Sequence, residues 1–316
     1  MDIVKHLIFI SFLTLMACEP EEEFIPSQWK KVEDFLAKEQ KISMGEQYEN
    51  QVYYNLEKEA VVKTVGKMDW DFSWNGDSLI VLNSGRNMKV APTVFKDFSE
   101  VEMGSAKKFK WDWSSGNPDS LAMSPLKMNN VYVFDLGLDV NNDKLGELKM
   151  MPIKIQNDTF YFAYEYEDNL YSQYLIFDQT FNFASFSFLK NEQVSIEPPK
   201  NDYDFKFTQY IHYFEEEETD YLVVGVLLNP YKTKALKIKG ESFDLATSKA
   251  NLSSKWDAIG YDWKRFDFDL SRYIIESDCY YQVETSRGQN YKMKFTSFTN
   301  ENNVKGYPSF LFQSLM

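Results

Sequence analysis

The sequence predicts an all-β protein, with antiparallel sheets closed as a barrel or sandwich and one short N-terminal helix. Three observations predict it. Apolar and polar residues alternate in many short runs at the two-residue period of a strand. Turn-forming clusters of Asn, Gly, Ser and Asp recur between those runs. The 26 Phe, 20 Tyr and 7 Trp also favour strands.

Taken in order, the chain opens on a segment read as a signal peptide, residues 1–17. Lys5 supplies the cation and Leu7-Ile-Phe-Ile-Ser-Phe-Leu-Thr-Leu-Met16 the largely apolar core. At about 1.5 Å rise per residue that core is too short to span a bilayer. It ends in Leu15-Met16-Ala17-Cys18, which resembles the lipobox of bacterial lipoproteins. Cys18 is therefore expected to carry the lipid, and two acyl chains anchor a protein far better than one. The acidic Glu19-Pro20-Glu21-Glu22-Glu23 that follows resembles the surface-export signal of Bacteroidetes lipoproteins. The expected location is the outer membrane, lipid-anchored, at the cell surface.

Residues 18–27 read as a lipidated tether and residues 28–316 as one β domain. The helix is expected over residues 28–40, where Trp29, Val32, Phe35 and Leu36 fall at helical spacing behind Ser27 as N-cap. Leu79-Ile-Val-Leu82 and Val131-Tyr-Val-Phe134 read as short apolar strands. In Thr159-Phe-Tyr-Phe-Ala-Tyr-Glu-Tyr166, alternation puts Phe160, Phe162, Tyr164 and Tyr166 on one face. Tyr221-Leu-Val-Val-Gly-Val-Leu-Leu228 suits a strand covered on both faces. Phe266-Asp-Phe-Asp-Leu270 and Tyr291-Lys-Met-Lys-Phe295 read as half-buried strands. No linker splits the chain, though Pro198-Pro199 is a possible seam.

A net charge of −14 disfavours nucleic acid and anionic headgroups as partners, so the only expected membrane contact is the lipid anchor. With Cys18 acylated, Cys279 has no partner and disulfides do not build the fold. Beyond the signal peptide there is one histidine, His212, which excludes a two-histidine zinc motif. No nucleophile elbow, phosphate-binding glycine loop or Cys-x-x-Cys pair is present, and no enzyme is expected. Asp139-Val-Asn141-Asn-Asp143-Lys144 spaces oxygens as calcium loops do, but Lys144 stands where an EF-hand needs Gly, so a polar turn is expected. Glu215-Glu-Glu-Glu218 reads as a solvated loop.

Three stretches carry a family resemblance. The first is Asp69-Trp-Asp-Phe-Ser-Trp74 with Leu79-Ile-Val-Leu-Asn-Ser-Gly85; the second is Tyr203-Asp-Phe-Lys-Phe-Thr-Gln-Tyr210 with Tyr221-Leu-Val-Val-Gly-Val-Leu-Leu-Asn229. The third runs from Ile259-Gly-Tyr-Asp-Trp-Lys264 through Tyr291-Lys-Met-Lys-Phe-Thr-Ser-Phe298 to Lys305-Gly-Tyr-Pro-Ser-Phe-Leu-Phe312. Together they resemble the HmuY family of haem-binding lipoproteins of Bacteroidetes. The resemblance implies an all-β surface lipoprotein that captures haem for an outer-membrane receptor, serving iron acquisition. Read as residues, Trp70, Phe72, Trp74, Tyr261, Trp263, Phe295, Phe310 and Phe312 are core aromatics, while Gly225, Gly260 and Gly306 relieve turns or close packing.

Haem iron takes soft or imidazole axial ligands such as His, Met, Tyr or Cys thiolate. His212 can supply one; Met88, Met103, Met123 and Met128 are candidates for the second, which the sequence leaves open. Tyr210, Tyr213 and Phe214 flank His212, and the strand period puts Tyr210, His212 and Phe214 on one face. The alternatives are a glycan-binding surface lipoprotein, with aromatic platforms for sugar rings, and a structural outer-membrane module.

Overall fold

The strand Thr159–Tyr166 shows how local alternation becomes architecture in the computed structural model, which describes residues 36–106 and 108–315. Its Phe160, Phe162 and Tyr164 are all buried, and the rings of Phe160 and Phe162 stack at 5.4 Å. Neighbouring strands present rings to the same interior, so the apolar faces close on one another.

Two sandwiches result. One sheet runs in the order Lys38–Lys41, Lys305–Ser314, Asn290–Thr299, Cys279–Glu284 and Lys234–Lys239. It shares a core with a four-stranded sheet ordered Thr219–Leu228, Phe205–Phe214, Asn50–Asn55 and Ala60–Gly66. Tyr54, Phe207, Trp263, Phe295 and Phe310 fill that core. The second sandwich joins the sheet Asn169–Ile176, Thr159–Tyr166, Glu147–Gln156, Tyr132–Asp135 and Lys89–Pro92 to the sheet Glu192–Val194, Ala184–Ser187, Phe72–Trp74 and Ile80–Leu82. Phe72, Trp74, Phe134, Phe160 and Phe186 lie at its centre.

The chain ends build the first sandwich and the middle of the chain builds the second. After Ala60–Gly66 the chain leaves, and it returns at Phe205–Phe214, which pairs antiparallel with Asn50–Asn55 (Phe205 opposite Tyr54, Phe207 opposite Val52). The described residues form one unit. A buried ion pair, Arg86 with Asp71, holds the entry to the second sandwich; Asp71 also accepts from the Phe188 amide at 2.6 Å.

All-β is thus the fold, and the expected helix is the correction. Lys38–Lys41 is a strand, with Lys38 opposite Phe312 and Lys41 opposite Ser309. Backbone pairing with the C-terminal strand satisfies N–H and C=O groups there, at the end of the expected helix where no apolar spacing supports it. The remainder of the expected helix, residues 28–35, lies outside the described residues, as do Cys18 and residues 1–17, expected as a signal peptide. Among the described residues the only helical elements are three 3₁₀ turns, Ser84–Arg86, Phe98–Glu100 and Pro118–Ser120.

Two further readings change. Phe266–Leu270 is not half-buried: Phe268 is 85% exposed, because Lys264–Asp267 pairs only with Arg272–Ile275 in a separate ribbon. Thr219–Leu228 is closed only toward its end, with Val226 buried and Tyr221 64% exposed. The polar turn at Asp139 is as expected, its carboxylate accepting from the amides of Asn141 and Asp143 at 2.7 and 2.8 Å. Glycine is required at two family positions. A Cβ on Gly225 would lie 2.4 Å from the Gly260 carbonyl oxygen, and one on Gly306 (φ +90°) 2.1 Å from that of Gly45.

Candidate functional site

His212 lies on Phe205–Phe214, three residues before the solvated tip Glu215–Glu218. Tyr221 stands directly across the hairpin, so strand pleating puts both side chains on one face. The imidazole is half-buried, 4.9 Å from the Phe214 ring and 4.8 Å from that of Tyr261. Beneath them Tyr210, Val223 and Leu227 form a small buried cluster on which Phe214 and Tyr261 pack. Among the described residues no hydrogen-bond partner engages either ring nitrogen of His212.

The sequence reading of the flanking rings is only partly realised. Phe214 shares the His212 face. Tyr210 shares it too, but it is 1% exposed and serves as floor rather than as contact surface. Tyr213 points the other way and stacks at 4.4 Å on Trp113, whose indole N–H donates to Asp220. In its place the structure brings Tyr221 and Tyr261. Tyr261 departs from the core role expected of it, being half-buried, whereas Trp70, Phe72, Trp74, Trp263, Phe295, Phe310 and Phe312 are buried. Cross-strand pairing could have found Tyr221 once the hairpin tip was placed. No local signal points to Tyr261.

Tyr261 is held there by three devices. Gly225 leaves room for residues 260 and 261 to pass against the neighbouring strand. Val226 and Gly260 exchange backbone bonds at 2.9 and 3.2 Å. Lys264 reaches back under the loop, donating to the Tyr261 carbonyl at 3.5 Å.

The candidate methionines separate. Met88 and Met123 are enclosed in the core of the second sandwich and face no surface ligand. Met103 is exposed and Met128 half-buried. Among the described residues there is no group of three or more His, Cys, Asp or Glu that could hold a metal ion.

A cavity of about 60 Å³ lies between the sandwiches, lined by Trp70, Asp112, Glu197, Lys206 and Tyr210 among others. Sequence reading missed the buried Asp112 and Glu197 and the half-buried Lys206, which alternates with Phe205 and Phe207 as a solvent-facing residue would. Burial pushes the Asp112 carboxyl up to about 7 although it accepts from the amides of Leu82 and Ala122. Burial likewise raises Glu197 and lowers Lys206, whose ammonium lies 5.7 and 6.0 Å from the rings of Tyr53 and Trp70. Ligand pockets run to roughly 300–1,000 Å³, so this cavity does not accommodate a porphyrin. The His212 face, by contrast, is open, with the imidazole half-buried between Phe214 and Tyr261.

The HmuY protein family model matches residues 47–312. The chain belongs to the HmuY family. Among solved structures similar to this HmuY-family chain is the apo HmuY analog of Tannerella forsythia, at 12% identity over 89% of this chain and 96% of that one, with a TM-score of 0.24. Another is apo PinO of Porphyromonas gingivitis, at 9% identity over 89% and 98%, with a TM-score of 0.29. No curated protein matches the chain. Among the described residues no helix is long and apolar enough to cross a membrane.

Proposed function

We propose that this HmuY-family chain is a non-catalytic, lipid-anchored surface protein that captures haem and passes it to an outer-membrane receptor, serving iron acquisition. The anchor in this reading is the acylated Cys18, and the cargo is haem. The observation that carries the site is the His212 imidazole, without a hydrogen-bond partner among the described residues and set against Phe214 and Tyr261. Its nitrogen would donate to the haem iron from one side. Phe214, Tyr221 and Tyr261 offer apolar ring faces to the macrocycle and keep water from the iron.

Hemin titration followed by visible absorption tests this. Wild type should sharpen the Soret band, and His212→Ala should broaden or shift it with the fold intact. A wild type that leaves the hemin spectrum unchanged in both redox states would overturn the haem reading. An unchanged band in the variant would overturn only the assignment of His212.

Glycan binding is the second reading, favoured by Trp113. Its indole is 40% exposed and is fixed by the Tyr213 stack and the Asp220 bond, as a platform for a sugar ring would be. Retention on a glycan-bearing resin that Trp113→Ala abolishes would support it.

A further inference from the structure

Over most of its length, the edge strand Asn169–Ile176 lacks the usual protection against pairing with another chain. It is the outermost strand of its sheet, and it pairs residue for residue with Thr159–Tyr166 without a bulge. Its sequence, Asn-Leu-Tyr-Ser-Gln-Tyr-Leu-Ile, contains no charged residue and no proline. Native edges are ordinarily blunted by one of these devices. Leu170, Tyr174 and Ile176 are 65, 53 and 53% exposed.

The outward-pointing backbone groups can be assigned. The Ile176 amide donates to the Gln193 side-chain oxygen at 2.8 Å, and the Ile176 carbonyl accepts from the Gln193 amide nitrogen at 2.9 Å. Ile176 therefore faces away from its paired strand, and so do Tyr174, Ser172 and Leu170 at the same period. Gln193 covers the edge at Ile176. Leu170, Ser172 and Tyr174 are left with their N–H and C=O groups open along the edge.

We infer that this edge pairs antiparallel with the same edge of a second copy, on a two-fold axis at Ser172. In that register Ser172 faces Ser172 of the second copy, and Leu170 faces Tyr174 of the second copy in both directions. Each of the three pairs exchanges backbone bonds, and each apolar side chain meets an apolar one. The stretch is neutral in a chain of net charge −14, so this register brings no like charges together. The side chains of Tyr161 and Tyr174, 6.3 Å apart, continue the apolar face onto the neighbouring strand. The result is a continuous sheet across a symmetric dimer. The contact is short and belongs to a weak association, strengthened when both copies share one membrane surface.

Cysteine cross-linking of the full chain tests this, because directly opposed residues of a hydrogen-bonded pair have Cα atoms about 5.5 Å apart, within the roughly 4.4–6.8 Å that a disulfide spans. Cys279 is buried and does not interfere. Under mild oxidation Ser172→Cys should give a disulfide-linked dimer. Leu170→Cys alone should not, while Leu170→Cys combined with Tyr174→Cys should. Adding Tyr174→Asp to Ser172→Cys should cut the yield at least about tenfold. A monomeric Ser172→Cys chain, or equal yields from Ser172→Cys and Leu170→Cys, would overturn the inference. Since a cross-link at this edge needs no haem, failure here leaves the His212 proposal standing.

Discussion

The ammonium of Lys264 donates to the carbonyl of Val224 at 2.5 Å, from a position 4.4 Å from the Trp263 ring and 4.5 Å from the Phe298 ring. One residue thus joins the Thr219–Leu228 strand to the loop that carries Tyr261. This lysine of the third family motif is a buried strut behind the His212 face.

Burial lowers Lys264 from its ordinary 10.5 to about 7. Folding therefore disfavours the charged form, and the penalty is full below pH 7. Stability should rise as the pH climbs from about 7 towards 10, by no more than about 1.4 kcal/mol per pH unit. Chemical denaturation of wild type against Lys264→Met should show that slope flattened in the variant.

Asp112 gives the opposite trend. Its folded value of about 7 lies above the ordinary 3.8, so the folded protein holds its proton longer than the unfolded chain. Stability should fall as the pH rises from about 4 to about 7 and level off above. Asp112→Asn should remove that slope. Asparagine keeps one carbonyl oxygen for the amides of Leu82 and Ala122, so it should also cost about 1–3 kcal/mol at low pH.

Removing one partner of the Arg86–Asp71 pair should strand a buried charge. Arg86 also donates to the Leu136 carbonyl at 3.0 Å, and both side chains are almost wholly buried. Arg86→Ala should cost about 3–5 kcal/mol in urea unfolding, whereas exposed pairs such as Lys41 with Glu301 should cost about 1 kcal/mol or less.

Tyr261→Ala should weaken hemin binding with little loss of fold, by the roughly 0.5–1.5 kcal/mol of one aromatic contact. Gly225→Ala should act through the same loop, since its new Cβ meets the Gly260 carbonyl. It should weaken hemin binding and lower the melting temperature together. Hemin affinity that is unchanged in both variants would remove Tyr261 from the site.

Cys18→Ser should release the protein into soluble fractions and abolish metabolic labelling with a fatty acid. A variant that stays membrane-bound and labelled would refute the anchor.

Strand positions such as Thr159–Tyr166 were legible because alternation is a property of neighbouring residues, and the all-β class followed from many such runs. The family was legible from three motifs, and the aromatic core from most of their rings. His212 could be singled out because it is the one histidine after residue 17, follows a family motif and is flanked by aromatics. What lay beyond the sequence was whatever depends on residues distant along the chain. Pairing with Lys305–Ser314 made Lys38–Lys41 a strand, because its backbone groups are satisfied by a partner distant along the chain that no local pattern announces. The split into two sandwiches arises because Phe205–Phe214 returns to Asn50–Asn55 across the whole second core. Tyr261 reaches His212 only because Gly225 admits its loop and Lys264 holds it. Period two told each side chain its face; only the tertiary structure decided which faces meet, because burial is set by whatever chain arrives opposite.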